Sequence, residues 1–200
     1  MKRMEPLVGR WPWPRLVHAS LLDYLAAGGA KAVVYDVLFA EADRRKFMVG
    51  DTEWTGEESD QALVDSTAQA GNVIHVAEAA SAELIDPSKA MVVSLDDLPG
   101  FNQPFVVDQC VERRPQVTPP FPALAKAARA IGHSFVVYDA DGPLRRVVPF
   151  VRVGRDTERV IPSLPLAAMM MANGLGPEAV GVKDGVLHIG ATRVPLVTEL

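Results

Sequence analysis

A single cysteine among 200 residues, Cys110, excludes an internal disulfide and a thiolate metal cluster, and makes a buried, inert thiol its default state. That scarcity does not fix a compartment, because oxidising compartments also hold domains large enough to build a core without disulfides. No apolar run approaches the ~20 residues needed to cross a bilayer. The longest, around Leu164 to Ala172, is interrupted by Pro165. Met1-Lys2-Arg3 carries the charge of a signal peptide, yet Trp-Pro repeats stand where its apolar centre should follow, so no signal peptide is read. An excess of positive charge is missing too. With 20 Lys and Arg against 25 Asp and Glu, the chain carries a net −5, which excludes nucleic acid as a partner at the level of overall electrostatics. Arg44-Arg45-Lys46 and Arg145-Arg146 are too short to be more than a solvated face or a local anion contact.

Catalytic signatures are lacking as well. His18, His75, His133 and His188 are scattered and form no His-x-x-x-His or His-Glu-x-x-His pair. No serine sits in a Gly-x-Ser-x-Gly elbow, and Gly28-Gly29 closes a helix where a phosphate loop would open one. No catalytic residue, cofactor or dedicated metal site is assigned, and the chain reads as a non-enzyme.

What is present is a globular balance, 48% hydrophobic and 22% charged, sufficient for one domain over residues 1–200. A repeated helix–glycine–strand grammar runs through it. The first unit is a helix over Pro14–Ala27, with Pro14 suited to a first turn and Leu21, Leu22, Leu25 and Ala26 at helical spacing. Gly28-Gly29 ends it, and Ala32-Val33-Val34-Tyr35 follows as a short strand whose continuous apolar run predicts burial on both faces. The second unit is a helix over Ser59–Ala70, Gly71, and a strand over Asn72–Val76. The third is a helix over Pro122–Ile131, Gly132 as its stop, and a strand over Ser134–Tyr138. Val-Val-Tyr-Asp occurs in the first and the third, at 33–36 and 136–139.

Such units predict an α/β fold: a three-layer sandwich with a largely parallel or mixed sheet covered by helices. Ala140-Asp141-Gly142 reads as a tight turn returning into a strand over Arg145–Phe150, a hairpin near the C-terminal third. Ser163 is the expected N-cap of a helix to Ala172, and Lys183-Asp184-Gly185 separates two short strands. Between Ala77 and Pro120 the pattern weakens into a proline-broken excursion, with Met91-Val92-Val93 as one more strand and the whole open to a role as lid, partner surface or insertion.

Ligands of open parallel sheets lie beyond the carboxyl ends of the strands, where Asp36 and Asp139 are expected. With Glu41, Asp43 and Asp141 they would form an acidic rim of hard oxygen ligands. One reading is a metal-dependent hydrolase in which a cation on this rim polarises a phosphoryl oxygen and activates water. The other is that these aspartates cap loops. A calcium loop at Asp139-Ala140-Asp141-Gly142 lacks the later acid it needs, and Leu38 stands where an aspartyl-phosphate enzyme needs its second aspartate.

Trp11-Pro12-Trp13-Pro14-Arg15, His18-Ala19, Leu21-Leu22, Ala30-Lys31-Ala32, and Asp36-Val37-Leu38-Phe39 followed by Glu41 and Asp43 resemble the core signature of the second CHASE class. Asn72-Val73-Ile74, Gly132, Asp139-x-Asp141-Gly142 with Arg145-Arg146, and Pro162-Ser163-Leu164 continue the resemblance in order from Trp11 to the C-terminus. The resemblance implies an extracytoplasmic sensor, part of a bacterial membrane protein, with one membrane helix before it and several after. Its partners would be an unknown small ligand, those helices and a cytoplasmic adenylate cyclase, histidine kinase or Ser/Thr kinase, with a homodimer compatible with this arrangement. Trp13, Arg15, Asp36, Glu41, Asp43, Asp139, Asp141 and Arg145 become the expected ligand-binding or signalling residues. Members of the class usually carry a strand before the Trp-Pro block, where this chain has ten residues without strand character, so a trimmed start or a misplaced gene start is expected there, and a cut before the membrane return is expected after Val194-Pro195-Leu196.

Overall fold

The computed structural model describes residues 11–80, 98, 100, 102–108, 111–114, 116–153 and 159–197. Cys110 and the expected strand at Met91–Val93 lie outside them. Helix α1, Arg15–Ala27, starts after Pro14 and buries His18, Ala19 and Leu22, while Gly29 at φ 74° lets the chain leave it. Strand β1, Val33–Tyr35, follows. Contrary to the two-sided burial expected for it, Val34 is 41% exposed, because β1 lies at the end of its sheet's strand order.

Next comes a hairpin that the sequence patterning does not predict, β2 (Lys46–Val49) and β3 (Thr52–Thr55), turning at Gly50 with φ 61°. Helix α2, Gly56–Ala70, begins earlier than Ser59 because Thr55 and Glu58 form a capping box. The Thr55 N–H donates to the Glu58 carboxylate at 2.8 Å, and the Glu58 N–H donates to Thr55 Oγ1 at 3.2 Å. Strand β4, Val73–Ala80, then runs parallel to β1, with Val33 opposite Val73 and Tyr35 opposite His75.

The described parts of the 77–120 excursion join sheets. Strand β5 (Val106–Val107) and β6 (Arg113–Arg114) are edges of two other sheets, and β7 (Gln116–Thr118) lies antiparallel on the end of β4.

The third unit differs from expectation. Helix α3 is only Pro122–Ala127, and strand β8 is Ala130–His133 instead of Ser134–Tyr138. The Arg129 N–H donates to the Val73 carbonyl at 2.9 Å, drawing 130–133 into a parallel ladder beside β4. Gly132 is therefore inside a strand and not a helix stop; a Cβ there would lie 2.9 Å from the Leu164 Cα. The following residues have no sheet pairing among the described residues, and Tyr138 is 67% exposed. The expected turn is present, with Gly142 at φ 98° donating its N–H to the Asp139 carbonyl at 2.8 Å. The expected hairpin ladder is not. Strand β9, Phe150–Val153, pairs instead with β10 (Val160–Pro162) and β6, where its all-buried side chains find a core.

Helix α4, Leu164–Ala172, starts at Ser163, whose side chain accepts from the Leu166 N–H. It packs Leu164 and Ala167 on Ile74 and Val76, while Leu22 and Leu63 pack on Val33, Tyr35 and Val73 from the opposite side. Helices thus cover both faces of the parallel sheet β1-β4-β8, giving the expected three layers of an α/β fold with mixed strand directions. A 3₁₀ turn, Pro177–Ala179, leads to the meander β11 (Val180–Lys183), β12 (Val186–Ile189) and β13 (Thr192–Pro195). Among the described residues no helix is long and apolar enough to cross a membrane.

Candidate functional site

Arg15 is the first residue of α1, where the helix dipole disfavours a cation. A second helix supplies the compensation. The Arg15 guanidinium pairs with the Asp60 carboxylate of α2 and donates to the Glu41 backbone carbonyl. Its carbon lies 5.3 Å from the Phe39 ring centroid and 5.2 Å from that of Phe121, within cation–π range of both. The second Asp60 oxygen accepts the Asp43 N–H at 2.8 Å. Beside it, the Leu16 N–H, one of the donors a helix start leaves unpaired, donates to Ser59 Oγ at 2.8 Å.

The first residue of α2 is a glycine for a steric reason: a Cβ on Gly56 would overlap the Asp43 carbonyl. Asp43 turns its carboxylate to Arg45, accepting from Nε at 2.9 Å and from the terminal nitrogen at 2.7 Å. Those bonds hold the Asp43 carboxyl below its ordinary range. Arg45 also reaches the Pro12 carbonyl at 3.4 Å. One joint therefore fastens the Trp-Pro segment, the starts of α1 and α2, the 39–45 loop and the entry to α3.

A row of rings extends from this joint into the core. Trp11 and Trp13 stand 5.6 Å apart, and Trp13 is 6.3 Å from His18. His18 meets Phe39 at 5.2 Å and Tyr35 at 5.7 Å, and Tyr35 stacks on His75 at 5.5 Å. The Tyr35 hydroxyl donates to the His18 carbonyl at 3.1 Å, and burial pushes its pKa up to about 12. Burial pushes His75 down to about 4, and its Nε2 bonds Thr67 Oγ1 at 3.2 Å. These rings are close-packed and leave the two histidines neutral.

The residues expected at the site fall into separate groups. Arg15, Asp43 and the backbone of Glu41 meet at the joint, and Trp13 stands beside it in the row of rings, against Trp11 and His18. Asp139, Asp141 and Arg145 meet at the 139–145 turn, where Arg145 donates to Asp139 at 3.0 Å and to Asp141 at 2.7 Å, and Arg146 donates to Asp139 at 2.6 Å. Asp36 is exposed at the end of β1 and makes no ion pair among the described residues. Asp139 does not end a core strand, because β8 stops at His133. Each of these acids apart from Asp36 and Glu41 is thus held by an arginine, and among the described residues no group of three or more His, Cys, Asp or Glu is placed to hold a metal ion. Ser59, Asp60 and Gly56 complete the joint without having been legible in the sequence. Their signal, a polar Ser-Asp pair on a helix face otherwise carrying Ala62 and Leu63, is that of any solvated face until α1 is placed against it.

No curated protein and no solved structure gives a significant match to this chain. A family model described as CHASE2 domain matches residues 2–198, nearly the whole chain. The chain belongs to the CHASE2 family, the extracytoplasmic sensor domains of bacterial signalling receptors such as cyclases and kinases.

Proposed function

We propose that this chain relays a small-ligand or environmental signal, through membrane helices, to a cytoplasmic cyclase or kinase. The family match over residues 2–198 is the observation that carries this reading. The joint around Arg15 supports it physically. A sensor must convert a local change into a displacement of its chain ends, and the chain directly after the Trp-Pro segment is tied to α2 through the nearly buried, charge-neutralised Arg15–Asp60 pair. In this reading Trp13, Arg15, Asp43 and Glu41 transmit, while Asp36 and the exposed Asp139–Arg145 turn are the charged surface that a ligand or partner meets.

The test uses the full-length receptor in vesicles, with effector output as the readout. Arg15→Ala is expected to shift basal output several-fold, and Arg15→Lys less, because lysine keeps the charge but not the planar fork. Output and its response that stay unchanged when residues 11–197 are replaced by an unrelated domain overturn the reading.

A further inference from the structure

A cleft of about 480 Å³ opens between the start of β8, the end of α4 and the 3₁₀ turn, with none of the Arg15 joint residues in its walls. Small-molecule sites begin at around 300 Å³. Part of its wall is apolar and adaptable: Phe105, Ile131, Met170, Met171 and Leu175 line it, and methionine side chains reshape around whatever they meet. Two glycines bring the backbone close. Gly100 lies directly on Ile131, and Gly176 leaves the space in which the Glu178 carboxylate folds back over the turn; a Cβ at either position would overlap that neighbour.

Two charged side chains share this lining, Arg129 and Glu178. Of the eleven arginines among the described residues, five, Arg15, Arg45, Arg114, Arg145 and Arg146, pair with carboxylates. Among the described residues, Arg129 and Glu178 have no ion pair with each other or with any other side chain, although they have opposite charges and border one cleft. Two exposed, opposite charges bordering a partly apolar cleft complement a ligand that carries both charges and an apolar body.

We infer that this cleft binds a small apolar zwitterion, a free hydrophobic amino acid or a hydrophobic dipeptide, with its carboxylate on Arg129, its ammonium on Glu178 and its side chain on Met170, Met171 and Ile131. An arginine fork matches a carboxylate in two parallel hydrogen bonds, which gives the site its polarity. The inference rests on the sensor reading and names the class of ligand sensed. Occupancy would bridge β8 and α4 to the turn that feeds β11, so binding would alter how the β11–β13 meander sits on the sheet carrying the Arg15 joint.

Titration calorimetry and thermal shift on the 200-residue chain test this with L-leucine, L-methionine and leucyl-leucine, each against its decarboxylated amine and its deaminated acid. A zwitterion is expected to raise the melting temperature by mass action. The matching amine and acid are expected to bind roughly tenfold or more weakly, since each leaves one charge unmet. Arg129→Gln is expected to abolish the preference for the zwitterion over the amine, and Glu178→Gln its preference over the acid, with circular dichroism showing both variants folded. Tighter binding by leucine than by leucyl-leucine identifies the free amino acid, and the reverse identifies the dipeptide. Failure of every zwitterion to bind at about 10 mM, or binding untouched by both substitutions, overturns the inference. That failure is distinct from failure of the sensor reading, which is decided by effector output when residues 11–197 are exchanged.

Discussion

At the scale of single residues, the groups that carry charge and the groups that exclude it are sharply divided. Arg15 and Asp60 are almost buried, with side chains 12% and 10% exposed, and hold together only as a pair. His75 and His133 are buried without any carboxylate partner among the described residues, so desolvation sets both near pKa 4, with Arg114 adding to the effect on His133. An unfolded histidine titrates near 6.5, so each imidazole is neutral when folded and takes up a proton on unfolding between those two values. The stability tied to these histidines is therefore complete above about pH 6.5 and falls as the pH drops toward 4, each imidazole costing roughly 1.4 kcal/mol for every pH unit crossed within that window. Carboxylates held low by arginines, such as Asp43 and Asp141, titrate below that window and do not obscure it. The melting temperature is expected to be clearly lower at pH 5 than at pH 7; a melting temperature that is flat or rises on acidification contradicts this account.

At the scale of elements, the units legible in the sequence are those whose boundaries are set locally. Pro14 before α1, Gly29 after it, Gly71 after α2 and Ser163 before α4 stand where the patterning places them, because a fixed φ, a positive φ or a side-chain cap acts within a few residues. Gly132 shows the opposite case. Its place after an alanine-rich helix mimics a stop signal, but the residue is a glycine because β8 passes against the backbone of Leu164. Gly132→Ala is thus expected to destabilise by about 1–3 kcal/mol through overpacking, measured by urea denaturation. A helix stop with a free outer face would tolerate the same change, and an unaltered midpoint would restore the sequence-based reading.

At the scale of the whole molecule, β4 is the organising strand. It pairs with β1 and β8 in parallel and with β7 in antiparallel, and both of its faces are covered by helices. Its central amides should therefore open only in global unfolding. In hydrogen exchange followed by mass spectrometry, Val73–Ala77 is expected to exchange slowest, whereas Val136–Val147, without sheet pairing among the described residues, exchanges fast. Equal protection of the two segments contradicts the topology.

The sequence by itself determined the α/β class, three of the helices, the first two strands of the parallel sheet and, through the Trp-Pro and Asp-x-Leu-Phe blocks, the family. These depend on periodicity, capping and local backbone geometry, which are written within short windows. Only the tertiary structure decided where β8 lies, which partners β9 takes, and that Arg15 finds Asp60 from a helix 45 positions along the chain. It also separated the acidic residues, giving Asp43 to Arg45 and Asp139 to Arg145 and Arg146 instead of gathering them on one rim. Pairing of strands and of charges depends on which distant segments are brought within a few ångströms, and no local pattern of residues carries that information.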